Sequence, residues 1–178
     1  MRYVALLRGI NVGGNNKVSM AQLKGTLAAD GLDDVSTYIN SGNIFFGSER
    51  SAAEVERVVH DAISREFGLD IKVLIKDLPA IRSIAAAIPD EWRNDADMKC
   101  DIMYLWDSHA SPDIVDSLPV REGIDEVRYT TGAIIWKVDK AVATRSGLGK
   151  LVGTDLYAHM TVRNANTARV LLQRLEMP

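Results

Sequence analysis

A short apolar run at 3–7 (YVALL) gives way to glycines and asparagines at 9–16, and apolar residues then return as Met20, Leu23 and Leu27 between Ser19 and Gly31. A continuous five-residue run suits a buried strand, whereas spacing by three and four turns one side of a helix inward. Residues 3–7 are therefore expected to form a strand and 19–30 a helix, with Ser19 as cap and Gly31 as stop. Strand-like runs at 35–39 and 44–46 bracket Asn40, Ser41, Gly42 and Asn43, a cluster of turn formers that predicts a hairpin. Ser51 opens a second helix whose inward face is Val55, Val58, Val59, Ala62, Ile63 and Phe67. Gly68 closes that helix, and 71–75 reads as another strand.

The first half thus reads β-α-β-β-α-β, the ferredoxin-like order. A helix follows at 78–88 with Pro79 in its first turn, then a polar connection at 89–97. The second half repeats the rhythm. A strand is expected at 102–106, a helix at 111–118 begun by Pro112 and ended before Pro119, a hairpin at 126–138 turning near Thr131 and Gly132, and a last helix from about Asn164. NSGNI at 40–44 lines up with TTGAI at 130–134, which points to duplication. The expected fold class is α+β, with an N-terminal ferredoxin-like subdomain at 1–76, a helical connection at 77–98, and a C-terminal ferredoxin-like subdomain with its final helix at 99–178.

Composition narrows the setting. With 178 residues, 47% of them hydrophobic, the chain can bury a sizeable core. A formal charge of −3 supplies no global positive field and argues against a nucleic-acid partner. The lone Cys100 rules out an internal disulfide and fits a reducing compartment, so a cytoplasmic location is expected. No apolar run reaches the roughly 18 residues of a membrane span, and the N-terminal run is too short for a signal peptide. Nothing in the pattern sets an oligomeric state.

Candidate chemistry begins at LLRGINVGG, 6–14, where a strand runs into an arginine and a glycine-asparagine loop. Glycines permit positive φ, tightly turned backbone can aim several N–H groups at one point, and Arg8 could add a planar clamp for an anion. In a ferredoxin-like unit the first two strands run parallel, so Arg8, Asn11 and Gly13 should share one end of the sheet with Ser41, Gly42 and Asn43. A third cluster combines RSGLGK at 145–150 with Arg163 and Asn164 ahead of the last helix, whose positive end favours a phosphate or carboxylate. Arg8, Asn11, Gly13, Gly14, Ser41 and Asn43, joined by Arg145, Arg163 and Asn164, form the candidate ligand set. Each also has a plain reading as turn, surface charge or ordinary helix cap.

Familiar catalytic patterns fail. Gly9, Asn11 and Gly14 miss the middle glycine of a dinucleotide fingerprint; Leu151 and Thr144 break a phosphate-loop pattern around Gly149 and Lys150. His60, His109 and His159 lack metal-ligand spacing, and Asp95, Asp97 and Asp101 lack the ordered ligands of a calcium loop. Ser41 has no nucleophile-elbow glycines, and Cys100 has no assignable base, so it reads as a small buried hydrophobe. Neither cofactor nor metal is expected.

LLRGINVGG, Met20 and Leu23, TYINSGNIFF, the arginine-serine-glycine segment at Arg145, and TVRNANT together resemble the bacterial family called domain of unknown function 1697. The resemblance spans nearly the whole chain and implies an α+β protein of two ferredoxin-like subdomains, with no established activity. Where the family pattern is RNWNT, this chain has Ala165 in place of the aromatic residue. The leading expectation is a module that binds a small anionic or phosphorylated ligand. The alternatives are a phosphoryl or acyl-phosphate hydrolase, by analogy with acylphosphatases, and a single-stranded RNA-binding or structural interaction protein. No residue set emerges that decides whether the protein is an enzyme.

Overall fold

A computed structural model describing residues 1–177 shows two four-stranded antiparallel sheets, each accompanied by helices. The first is built from β1 (Arg2–Leu7), α1 (Met20–Ala29), β2 (Asp33–Tyr38), β3 (Asn43–Gly47), α2 (Ala52–Phe67) and β4 (Val73–Asp77), in the order β2-β3-β1-β4. β1 and β2 both run antiparallel to β3, so they are parallel to each other, and their C-terminal ends emerge on the same side of the sheet. Strand alternation sends Tyr3, Ala5 and Leu7 toward the helices, where they meet Leu23 and Leu27 of α1 and Val55, Val59 and Ile63 of α2. Both helices start on the serine expected. Ser19 Oγ accepts from Gln22 N, and Ser51 forms a reciprocal capping box with Glu54, while Gly68 ends α2 at φ 65°.

After α3 (Leu78–Ala86) come β5 (Met98–Leu105), β6 (Asp125–Thr130) and β7 (Ala133–Asp139), then a four-residue α4 (Leu148–Leu151), β8 (Met160–Asn164) and α5 (Ala165–Glu176). The second sheet is ordered β6-β7-β5-β8. Its core gathers Met103, Leu105, Ile134, Trp136, Leu151 and Met160. Two differences from the sequence pattern stand out. The segment at 111–118 winds as a 3₁₀ turn, Pro112–Ser117, and not as an α-helix. β8 is a five-residue strand that the pattern did not reveal, because its Thr161, Arg163 and Asn164 break the apolar run.

The two units repeat one bond geometry. Leu7 N donates to Gly42 O at 2.9 Å, and Leu105 N donates to Gly132 O at 2.9 Å, with the two glycines at φ 81° and 82°. One residue on, Arg8 N donates to Lys72 O at 3.1 Å and Trp106 N to His159 O at 3.4 Å. The register also repeats, pairing Val4 with Lys76 and Ile102 with Arg163, so these two buried cations hold equivalent positions. By contact density the chain divides into one unit of Met1–Pro79 with the last residues from Gln173, and a second of Ala80–Leu172. Among the described residues no helix is long and apolar enough to cross a membrane.

Candidate functional site

The loop after β1 folds back on itself as a small tongue. Gly13 and Gly14, at φ 59° and 81°, occupy the two central positions of a hairpin turn closed by Asn15 N donating to Val12 O at 3.0 Å. Positive φ at both positions is what a type I′ turn demands, so glycine is required by the turn itself. Asn11 N donates to Asn16 O at 3.1 Å, and these amides therefore close the tongue instead of converging on an outside point. The Asn11 side chain is a clamp. Its Nδ2 donates to Val18 O at 3.0 Å and to Asn40 O at 2.8 Å, while its Oδ1 accepts from Val18 N at 2.9 Å. One carboxamide thereby ties the tongue to α1 on one side and to the β2–β3 turn on the other.

That turn has its own clamp. Asn43 is fully buried, and its Nδ2 donates to Tyr38 O at 3.0 Å and to Ser41 Oγ at 3.1 Å, holding the four residues between β2 and β3. Gly42 is pressed against β1, since a Cβ built on it would lie 2.7 Å from Leu7 Cβ. The structure thus gathers Arg8, Asn11, Ser41 and Asn43 at one end of the first sheet, as the parallel β1 and β2 require. Ile39 in the same turn has φ 51°, a region that a β-branched side chain rarely enters, and half of it is exposed.

Where tongue, turn and α1 meet, a cleft of about 510 Å³ opens, lined by Asn11, Lys17, Ser19, Met20, Ala21 and Asn40 among others. Ser19 takes up Gln22 N with its hydroxyl and Leu23 N with its carbonyl. The amides of Met20 and Ala21 precede the first intrahelical donor, Leu23 N, in the turn where helix N–H groups have no partner within the helix and a net positive potential develops. Exposed Lys17 adds a full charge. Residues 1–29 carry Arg2, Arg8, Lys17 and Lys24 and not one Asp or Glu, while 35–48 carry no charge at all. Lys17 and Asn40 were missed by motif reasoning. The carboxylate-free opening of an acidic chain was the signal that could have found the first of them.

In the second unit the arginine-serine-glycine segment already holds an anion, its own. Asp125, at the start of β6, accepts from Ser146 Oγ, from Gly147 N at 2.9 Å, from Arg121 N at 2.8 Å and from Trp136 Nε1 at 3.1 Å. Burial pushes this carboxyl up, but the four donors outweigh burial and hold it below the ordinary value. Gly147 is sterically obligatory, because a Cβ there would sit 1.5 Å from Pro119 O. Arg145 lies exposed beside this anchor. Arg163 and Asn164 lie in β8, at the opposite edge of the sheet from β6, so the segment at 145–147 and the end of β8 are anchored three strand spacings apart.

Arg163 is 7% exposed and donates to Thr161 Oγ1 at 3.1 Å and to Val162 O at 2.8 Å; burial brings its guanidinium down to about 10, still charged at neutral pH. Asn164 is the helix cap that its position suggested, its Oδ1 accepting from Thr167 N at 2.9 Å ahead of α5. Asn166 exchanges hydrogen bonds with the Asn94 backbone. Cys100 is fully buried, and burial pushes its thiol up to about 12. The His109 and His159 rings stack at 3.8 Å, and His60 lies between Asp61 and Asp70.

The model of a family described as protein of unknown function, DUF1697, matches residues 1–136. The chain belongs to this family. Among solved structures it is similar to a conserved bacterial protein from Streptococcus pneumoniae, with 30% identity and a TM-score of 0.84 over 98% of each chain. No curated protein matches. The match to the family carries no specific activity, and the description of the pneumococcal protein names none.

Proposed function

We propose that the first unit of this DUF1697 protein is a binding module for a small anionic or phosphorylated ligand, seated in the cleft between the tongue and the first turn of α1. The observation that carries this reading is the coincidence of a cleft of about 510 Å³ with Lys17, the leading amides of α1 and a surrounding run of chain free of carboxylates. Sites for small molecules are concave and place few polar groups with care, and this volume lies within their usual range. Lys17, Ser19 and the Met20 and Ala21 amides are the contacts in this reading. Arg8 and Ser41 stand at the same end of the sheet, and Asn11 and Asn43 act by holding the loops there. Gly13 and Gly14 shape the tongue. Arg163 and Asn164 make bonds within the second unit, where Arg145 also lies, and all three are left out of the contact set.

The connectivity and strand order of the first unit also support a ferredoxin-like reading of that unit. The second unit follows the same strand order with 3₁₀ turns where α-helices would pack. A cytoplasmic location is part of the proposal, on the strength of the single buried thiol.

Thermal unfolding in inorganic phosphate and in pyrophosphate tests the reading. A ligand of the native state raises the midpoint by mass action, by about 2.7 kcal/mol of stability at one hundred times its dissociation constant. Lys17→Ala is expected to remove the shift while unfolding at the wild-type midpoint without ligand. An unchanged midpoint in both anions would refute the site, and turnover of acetyl phosphate would replace binding with hydrolysis as the function.

A further inference from the structure

We propose that the second unit carries a separate site for a short aliphatic monocarboxylate, its carboxylate against Lys99 and its alkyl tail in a cavity over the start of β5. This cavity of about 200 Å³ is lined by Lys99, Val138, Ala143, Leu148, Gly149 and Val152, with Ser146 beside them. Lys99 and Val138 are directly opposed on β5 and β7, so the stem of an ammonium and a branched aliphatic group lie side by side on one face of the sheet. The other lining residues come from the 3₁₀ turn Lys140–Arg145 and from α4 with the residues flanking it.

The lining decides the class of ligand. Its walls are aliphatic, and Val152, 57% exposed, is still open to an apolar partner. A Cβ on Gly149 would meet nothing within 4 Å, so no side chain fills the space at that point. Polar partners are few. The Ser146 hydroxyl donates to Asp125 and accepts from Leu148 N, which leaves the Lys99 ammonium as the charged donor of the lining. Among the described residues Lys99 has an ion pair with Asp101 at 3.6 Å. That is longer than a charge-assisted hydrogen bond of about 2.7–2.9 Å, so the three donors of the ammonium are not used up. The stretch 140–154, which supplies most of the lining, carries Lys140, Arg145 and Lys150 and no Asp or Glu, and so favours an anion in a chain of net charge −3. One cation beside aliphatic walls suits an alkyl carboxylate and would leave the hydroxyls of a sugar without partners. At roughly 30 Å³ for each water-sized group, the cavity holds about seven heavy atoms, the size of pentanoate.

Titration of isotope-labelled protein at pH 7 with acetate, pentanoate and pentanamide, followed by amide chemical shifts in NMR, tests the site. Pentanoate is expected to move the amides of Ala143, Gly149 and Val152 and to bind at least about tenfold tighter than acetate, since each buried methylene is worth about fourfold. Pentanamide keeps the tail and loses the charge, and is expected to bind at least about tenfold more weakly than pentanoate. Lys99→Met should bring pentanoate down to the affinity of pentanamide, and Val152→Ser should weaken both while unfolding at the wild-type urea midpoint. Equal affinities for pentanoate and pentanamide, equal affinities for acetate and pentanoate, or no shift at all would each overturn the proposal. Shifts confined to Met20 and Ala21 would do the same, placing the carboxylate in the first unit.

Discussion

Leu7 and Arg8 are neighbours with opposite duties. Leu7 is buried against α1 and α2, so Leu7→Ala removes packed methyl groups and should cost about 2 to 5 kcal/mol, read as a lower midpoint in urea. Arg8 is half-buried at the strand end, and its replacement by alanine should cost less than half as much in the same titration. Gly42 carries a double constraint: left-handed φ and contact with Leu7 Cβ. Gly42→Ala is expected to lose about 2 to 3 kcal/mol by the same measurement. At this scale the sequence marked the turns and caps by residue type, and the structure adds the bonds those residues make. Asn11 looked like a group aimed at a ligand, whereas its own bonds run to Asn16, Val18 and Asn40, and Gly13 and Gly14 stand where a hairpin turn calls for positive φ. Spacing along a chain cannot say which way a loop's amides point.

Among the elements, those with a strong period were legible and those held by a single polar group were not. α1 and α2 begin and end at the serines and glycines that mark them, and the β2–β3 hairpin turns where its asparagines and glycine stand. β8 escaped notice because a five-residue strand with Arg163 inward has no apolar signature. The segment after β7 escaped for a different reason: its Ser146 and Gly147 are organised by Asp125, 21 and 22 residues upstream. Asp125→Asn replaces a carboxylate that accepts four bonds with an amide that can accept fewer, and should cost about 2 to 3 kcal/mol at pH 7. Because the folded carboxyl lies below its unfolded value near 3.9, its stabilisation is complete above about pH 4 and drains away as pH falls through the folded value. Denaturant midpoints measured from pH 7 down to pH 2 should therefore fall less steeply in Asp125→Asn than in wild type.

For the molecule as a whole, the likeness of NSGNI to TTGAI was the most useful thing written in the sequence. Five aligned positions, 40–44 and 130–134, fall on the same turn, and the bonds from Leu7 to Gly42 and from Leu105 to Gly132 show why the glycine persists: its carbonyl receives the strand that begins each unit. What the match could not show is how far the two units differ around that turn, with Asn43 set against Ala133 and Arg8 against Trp106. The single thiol offers a global readout. Cys100 in β5 is fully buried, and with its thiol pushed up to about 12 it should resist iodoacetamide at pH 8 in the folded protein and react at the rate of an unfolded peptide in denaturant. Labelling of the native protein at the rate of the unfolded chain would show that the second unit opens readily.

Asp125 seated among Ser146, Gly147, Arg121 and Trp136 is a lock with its key moulded in. A hollow built for a carboxylate and permanently filled by one is closed to traffic, so a visitor bearing negative charge meets an occupied seat there.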